Sequence, residues 1–512
     1  MYRIFKADKD TYITNRVING VRSYNTNVGL AGTIDLFKLY GATTSGSVSN
    51  IELTRGLIHF DISELRSMVT AGTVNPSHTS FFAKIKLFDV YGGQPTPSNF
   101  VLNVNPLSRS FDEGRGKDVV FYGDYDAANF LTASLATGSW VFSGCGASGS
   151  PGDVCDFFTG SYAASQTFVS EEHLNVDVTA AIRAVLSGTI PDEGFRIAYT
   201  ATEETNTYTY FVKRFASRHA YDVSKRPRLI IGYNDSYNDS SSGMRLDTTE
   251  TLFLFNYDHG SPANLISGSS YVTGSNSLAC RLLLPISGGF AQYIATGSQH
   301  YVGGIASTGV YSASFTLSST NQYIAAALAA TGSVIKLTPV WASLDGTVLF
   351  HSGSKISVTK ANRTETFLPT NTPVVTVSNL KDTYDNTETP VVRVNVFDRN
   401  SPLITTARVP LESPNGLLGI ASEAHWSVRN VSTGEVVVPF DTTYGSTRLS
   451  SDSKGLFFKL FTSDFPTEQT YVIDVLLLVG GNRQVHSNAS SQFKIVEAQL
   501  GSTCPTHTFH RS

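Results

Sequence analysis

Lys84-Ile85-Lys86-Leu87 sets polar against apolar residues with a period of two, and the alternation returns in short runs at 194–199, 228–233, 390–398 and 471–478, with further strand-like runs at 251–257, 279–284 and 334–341. That period places every second side chain on one face, as in a strand with one buried side. Runs this short, punctuated by Gly, Pro, Asn, Asp and Ser, predict an all-β chain built from sandwiches of the jelly-roll or immunoglobulin-like kind. One segment departs from the pattern. Val178, Ile182, Val185 and Leu186 recur at helical spacing, with Asp177 or Thr179 to cap the start and Gly188 the end. One short amphipathic helix, covering the open end of a sandwich, is therefore expected in the first domain.

A chain of 512 residues is too long for one hydrophobic core. The expected division is a first sandwich over 1–235, a second over 244–366, an immunoglobulin-like third over 374–497 and a polar tail over 498–512. The polar, turn-rich stretch 234–243 reads as a linker, and 368–373, with its two prolines, as a hinge.

Charged residues make up only 16% of the chain, while Ser, Thr, Gly and Asn are abundant, a mixture that suits strands and turns better than solvated helices. The net charge of −4 gives no field for holding phosphates, so no nucleic-acid partner is expected. No run of about 18 apolar residues exists to span a membrane. The opening residues Met1-Tyr2-Arg3-Ile4-Phe5-Lys6-Ala7-Asp8 carry no apolar leader core, so no secretory signal is expected. No G-x-S-x-G elbow, H-E-x-x-H helix or P-loop occurs, and no enzymatic activity is expected.

Five landmarks in order carry a resemblance. They are Asp10-Thr11-Tyr12-Ile13, Asn27-Val28-Gly29, Arg55-Gly56-Leu57-Ile58-His59-Phe60-Asp61 with Ile62-Ser63-Glu64-Leu65, Asp177-Val178-Thr179, and Arg226-Pro227-Arg228-Leu229. Together they make the first domain resemble the DNRLRE family of extracellular and cell-wall β-sandwich domains. The whole arrangement resembles structural proteins of marine tailed phages. Residues 436–442 and 447–450 are similar to the C-terminal sandwich of such proteins. The resemblance implies a scaffold in the virion, in the tail, baseplate or neck, made in the host cytoplasm and released by lysis. Its implied partners are other virion proteins and further copies of itself in three-fold or six-fold sets. Head decoration and a receptor- or glycan-binding adhesin are the rival expectations.

Several clusters are candidate sites. Cys504, His507 and His510 offer three soft donors at three-residue intervals, one short of a closed zinc site, and Phe509 among them is a candidate docking anchor. Cys145 and Cys155 bracket a loop that a disulfide would stabilise by about 3 kcal/mol, against the alternative of two free thiols. Cys280 sits in an apolar strand and reads as a core thiol. Asp8 with Asp10, Asp112 with Glu113, Asp124 with Asp126, and Glu171 with Glu172 are oxygen donors that calcium would accept, or solvated turns. No resident cofactor is expected beyond these zinc and calcium candidates. Gly144-Cys145-Gly146-Ala147-Ser148-Gly149 matches G-x-G-x-x-G, but Ser150-Pro151-Gly152 continues a loop where a phosphate cradle needs a helix. Trp140, Trp341 and Trp426 read as core residues before sugar platforms.

Overall fold

The computed structural model describes residues 1–42, 50–90, 97–117, 126–134, 138–241, 243–332, 334–360, 373–398, 423–452, 454–479 and 482–498. The protein is mostly β, 50% strand and 9% helix. It divides into a unit spanning Tyr2–Tyr233 and a second that joins Met1 to Asn234–Ser512. Cys504, His507, Phe509 and His510 lie outside the described residues, as do Asp124 and most of the expected hinge at 368–373.

In the Tyr2–Tyr233 unit the long strand Tyr2–Thr14 serves two partners. Its residues 2–6 pair antiparallel with Arg228–Gly232, and after a register shift between Ala7 and Lys9 the remainder pairs with Ile51–Phe60. A bulge bends a strand and sharpens its twist, which lets one chain segment feed both halves of a folded-over sheet. The ladder runs on through Phe195–Tyr199, Phe100–Pro106 and Ala164–Phe168 on one side, and through Phe82–Leu87 and Leu174–Asp177 on the other.

The expected helix is Thr179–Leu186. Ile182 and Val185 are buried with Ala181 and Ala184, the Asp177 carboxylate accepts from the Thr179 N–H, and Gly188 closes the end at φ 77°. Two further helices, Ser63–Thr70 and Ala201–Thr205, accompany it. The second carries a capping box between Thr200 and Glu203, a T-x-x-E signal present in the sequence. The first buries Leu65 alone, so it lacks the apolar stripe by which a helix shows itself in sequence.

In the other unit, strands between Met244 and Thr359 form one eight-stranded sheet around a core that includes Leu252, Leu282, Tyr311, Leu337 and Trp341, with the helix Gln322–Thr331 beside it. Strands from Pro373 to Val496 make a four-stranded and a five-stranded sheet, joined where Trp426 stacks on Phe458 with ring centroids 4.4 Å apart. The Tyr471 hydroxyl donates to the Pro466 carbonyl at 2.9 Å, the short upstream return that marks a tyrosine corner in immunoglobulin-like sandwiches.

The stretch 234–243, expected as a linker, is tied on both sides. The Ser451 N–H donates to the Tyr237 carbonyl and the Asp239 N–H to the Ser451 carbonyl, while the Ser240 N–H donates to Thr251. The Tyr237 ring packs against Phe253, Phe255 and Phe457. Its Asn and Asp residues read as a flexible tether, but one aromatic and a run of free backbone groups suffice to make it a strap shared by the sheets of this unit.

Candidate functional site

Between Leu107 and Phe158 the first unit carries a lobe with a small core of its own. Leu107, Phe111, Ala128, Ala133, Trp140, Cys145 and Phe157 pack with Ile13 and Leu57 of the sandwich. Above that core Leu131, Val141, Phe142 and Val154 turn outward; Phe142 is 67% and Val154 84% exposed. Apolar residues at such positions need a framework that keeps them from folding inward.

Asp156 supplies much of it. Its carboxylate, fully buried, accepts from the Val141 N–H at 2.8 Å, the Phe142 N–H at 3.1 Å and the Ala147 N–H at 2.9 Å, with the Arg109 guanidinium 3.5 Å away. A charged acceptor with three backbone donors fixes the loop's path and so the outward direction of Phe142. Asn129 does the same one turn earlier, its Oδ1 accepting from the Leu131 and Thr132 N–H groups and its carbonyl from the Trp140 indole.

A buried ion cluster ties this loop to the sandwich. Arg55 grips the Glu204 carboxylate through Nε at 2.9 Å and Nη2 at 2.6 Å, and its Nη1 donates to the Gly144 carbonyl at 2.6 Å. Burial disfavours the Arg55 cation, but the bonds and charge of Glu204 outweigh it and hold its pKa above the usual arginine value. Arg196 lies over the Phe157 ring at 4.4 Å, and burial together with the like charge of Arg55 pushes it down to about 10. Both remain cations at neutral pH.

The match to G-x-G-x-x-G falls in this loop. Gly144 and Cys145 adopt positive φ, and 148–149 pair in parallel with 157–158, so the glycines serve a tight turn and not a helix N-terminus. Cys145 and Cys155 are free buried thiols in the structure. Cys145 is committed to the lobe's core, where burial pushes its thiol up to about 12, and Cys155 is raised as well, again chiefly by burial. At both, burial works against the thiolate that exchange or metal binding requires.

The acidic pairs are dispersed among separate tasks. Asp8 bonds His59 at 2.6 Å, Glu172 accepts from the Val169 and Ser170 N–H groups, and the Asp112 backbone bonds Ala128 and Ala133. Asp10 and Glu113 do meet, around Arg218. No group of three metal-ligating side chains occurs among the described residues. Cys280 and all three tryptophans are buried.

The second unit also presents apolar side chains on turns. Tyr257, Ile266, Tyr271 and Tyr301 are exposed at successive hairpin ends, anchored below by Tyr311, whose hydroxyl accepts from the Leu265 N–H and donates to the Val272 carbonyl at 2.8 Å each.

No family model matches the chain, and no curated protein matches it. Solved structures similar to parts of it are distant. They include the FN1–FN3 domains of chicken CNTN1, at 10% identity and a TM-score of 0.14 over 63% of this chain and 81% of that one. Three N-terminal domains of the Highly Immunogenic Outer Capsid protein of bacteriophage RB49 match at 7% identity and 0.12, over 51% and 59%. A chicken TCR matches at 12% and 0.15, over 48% and 94%. At such scores the fold class rests on the sheets themselves.

Proposed function

We propose that this protein is a non-catalytic structural component of a tailed-phage virion, placed in the tail, baseplate or neck, and that it attaches to neighbouring virion proteins through apolar loops. The observation that carries this is the lobe at 107–158, where Leu131, Val141 and Phe142 are held outward by the buried Asn129 and Asp156 side chains and Val154 is exposed as well. Exposed apolar clusters rimmed by polar residues are surfaces for protein association, and an aromatic at the centre is the usual anchor. A virion scaffold repeats such contacts by symmetry, so three-fold or six-fold sets are the natural assembly. Its location in the virion is part of the same proposal.

The test is particle incorporation. A chain carrying Phe142→Ser and Val154→Ser should fold and melt as the parent does, since both side chains are solvent-facing, yet enter particles at reduced occupancy. Full occupancy of the variant would overturn the lobe as the attachment face. Complete, infectious particles lacking the protein altogether would favour the adhesin reading. A glycan array would then probe the exposed Tyr257, Tyr271 and Tyr301 for stacking on sugars.

A further inference from the structure

Three chain segments meet at Asp10. Its backbone N–H donates to Glu113 Oε1 at 2.9 Å, and its Oδ2 accepts from the Arg218 backbone N–H at 2.5 Å. Arg218 forks onto the same Glu113 through Nε at 2.5 Å and Nη2 at 2.6 Å, and His219 Nε2 stands 3.4 Å from Glu113 Oε1. Asp10 is 1% exposed, and its Oδ1 is buried without a hydrogen-bond donor among the described residues. Two carboxylates thus meet at one arginine, Glu113 on its guanidinium and Asp10 on its backbone N–H, and one of their four oxygens is buried and bare. That arrangement favours a proton on Asp10.

Glu113 is also the root of the apolar lobe. Asn27 Nδ2 donates to the Glu113 and Ala128 carbonyls, and Asn27 Oδ1 accepts from the Gly29 and Gly116 N–H groups. The approach is so close that a Cβ on Gly29 would sit 2.0 Å from the Glu113 carbonyl oxygen. From there the Ala128 N–H donates to the Asp112 carbonyl and the Asp112 N–H to the Ala133 carbonyl, on the strand turn that carries Leu131.

We propose that Asp10, Glu113, Arg218 and His219 form a proton-operated clasp at the base of the lobe, shut when Asp10 is protonated and loosened when it is ionised. The charged groups facing Asp10 are Glu113 from the lobe, Arg218 and His219 from the 217–219 turn, and Arg226 beyond it, with Asp8 on its own strand near Arg218. Burial first, and Glu113 after it, push the Asp10 carboxyl up to about 7, against the pull of the Arg218 N–H. With the clasp open Asp10 is hydrated and titrates in the ordinary carboxylate range, near 4. Between those values the shut clasp holds a proton that the open one releases, so opening grows as pH rises from about 4 to about 7 and levels off above. The consequence for attachment rests on the lobe's proposed role; the clasp itself does not.

Hydrogen exchange of the intact chain tests the clasp without a partner. After correction for intrinsic exchange, the amides of Asp112 and Ala128 should speed up between pH 5 and 7, by as much as about tenfold per pH unit, and reach a plateau by pH 8. Asp10→Asn should remove the response. Glu113→Gln, which deletes the like charge, should move it to lower pH. A flat wild-type profile, or one unchanged in both variants, would overturn the clasp. If Asp10→Asn fails to fold, the Glu113→Gln shift decides alone. Loss of incorporation in the Phe142/Val154 variant at a single pH bears on the attachment face and leaves this result untouched.

Discussion

Tyr237 packs edge-on to Phe457, their ring centroids 5.6 Å apart at 67°. The two residues are 220 positions apart in sequence, and their contact turns a polar stretch into a built-in strap. Tyr237→Ala removes a half-buried aromatic that also touches Phe253 and Phe255. It should lower the stability of the Asn234–Ser512 unit by about 2 kcal/mol. Limited proteolysis should follow, with cleavage at 234–243 appearing only in the variant. Rapid cleavage there in the parent chain would mean the strap is not held.

Asp156 offers a sharper test of the lobe. Asp156→Ala strands three half-buried backbone N–H groups and leaves Arg109 without its carboxylate, a loss of about 3 kcal/mol. The buried Trp140 beneath should become more accessible to an aqueous fluorescence quencher. Val154→Ser, at the exposed tip, should change neither melting nor quenching. Equal behaviour of the two variants would show that Asp156 does not organise the loop.

The helix Thr179–Leu186 should fail on substitution of its inner face. Ile182 is 2% exposed, so Ile182→Asp buries an unpaired charge and should destabilise the first unit by about 3–5 kcal/mol. A melting temperature unchanged by the substitution would place that face in solvent.

His59 gives a pH dependence with a definite sign. Burial disfavours its cation, but the hydrogen bond to Asp8 and the charges of Asp8 and Asp192 prevail and raise its pKa above the usual imidazole value. A histidine raised on folding contributes stability that is complete below about 6.5 and is lost as pH rises through the folded value. The first unit should therefore lose His59's contribution to its denaturant midpoint as pH rises from 5.5 to 8.5, and Asp8→Asn should flatten that loss. A slope identical in parent and variant would detach Asp8 from the effect.

Much of the fold was legible because strands announce themselves by period. The runs at 195–199, 228–232, 278–286, 334–342 and 469–479 are strands in the structure. The Asn27-Val28-Gly29 landmark proves to be a physical junction, where the amide pins two carbonyls and glycine admits a neighbouring backbone. Other features were illegible for a reason of equal generality. Lys213 is a cation, which on charge alone reads as solvent-facing, yet it is fully buried, paired with Asp89 at 2.7 Å and set over Phe168 and Phe215. Asp156 reads as one more turn residue beside a cysteine. Buried polar anchors depend on partners distant in sequence, and no local pattern encodes them.

The strap at 237–240 also has a mechanical meaning. A pull on the chain at Asn234 is met first by the backbone bonds between Tyr237, Asp239 and Ser451, and then by that between Ser240 and Thr251. Tension is therefore handed to a strand more than 200 residues further along before the intervening sheet begins to unravel. The order in which parts yield under force departs from their order in sequence. Resistance is set by the rate at which a few shared hydrogen bonds break together, not by the equilibrium stability of either sheet alone.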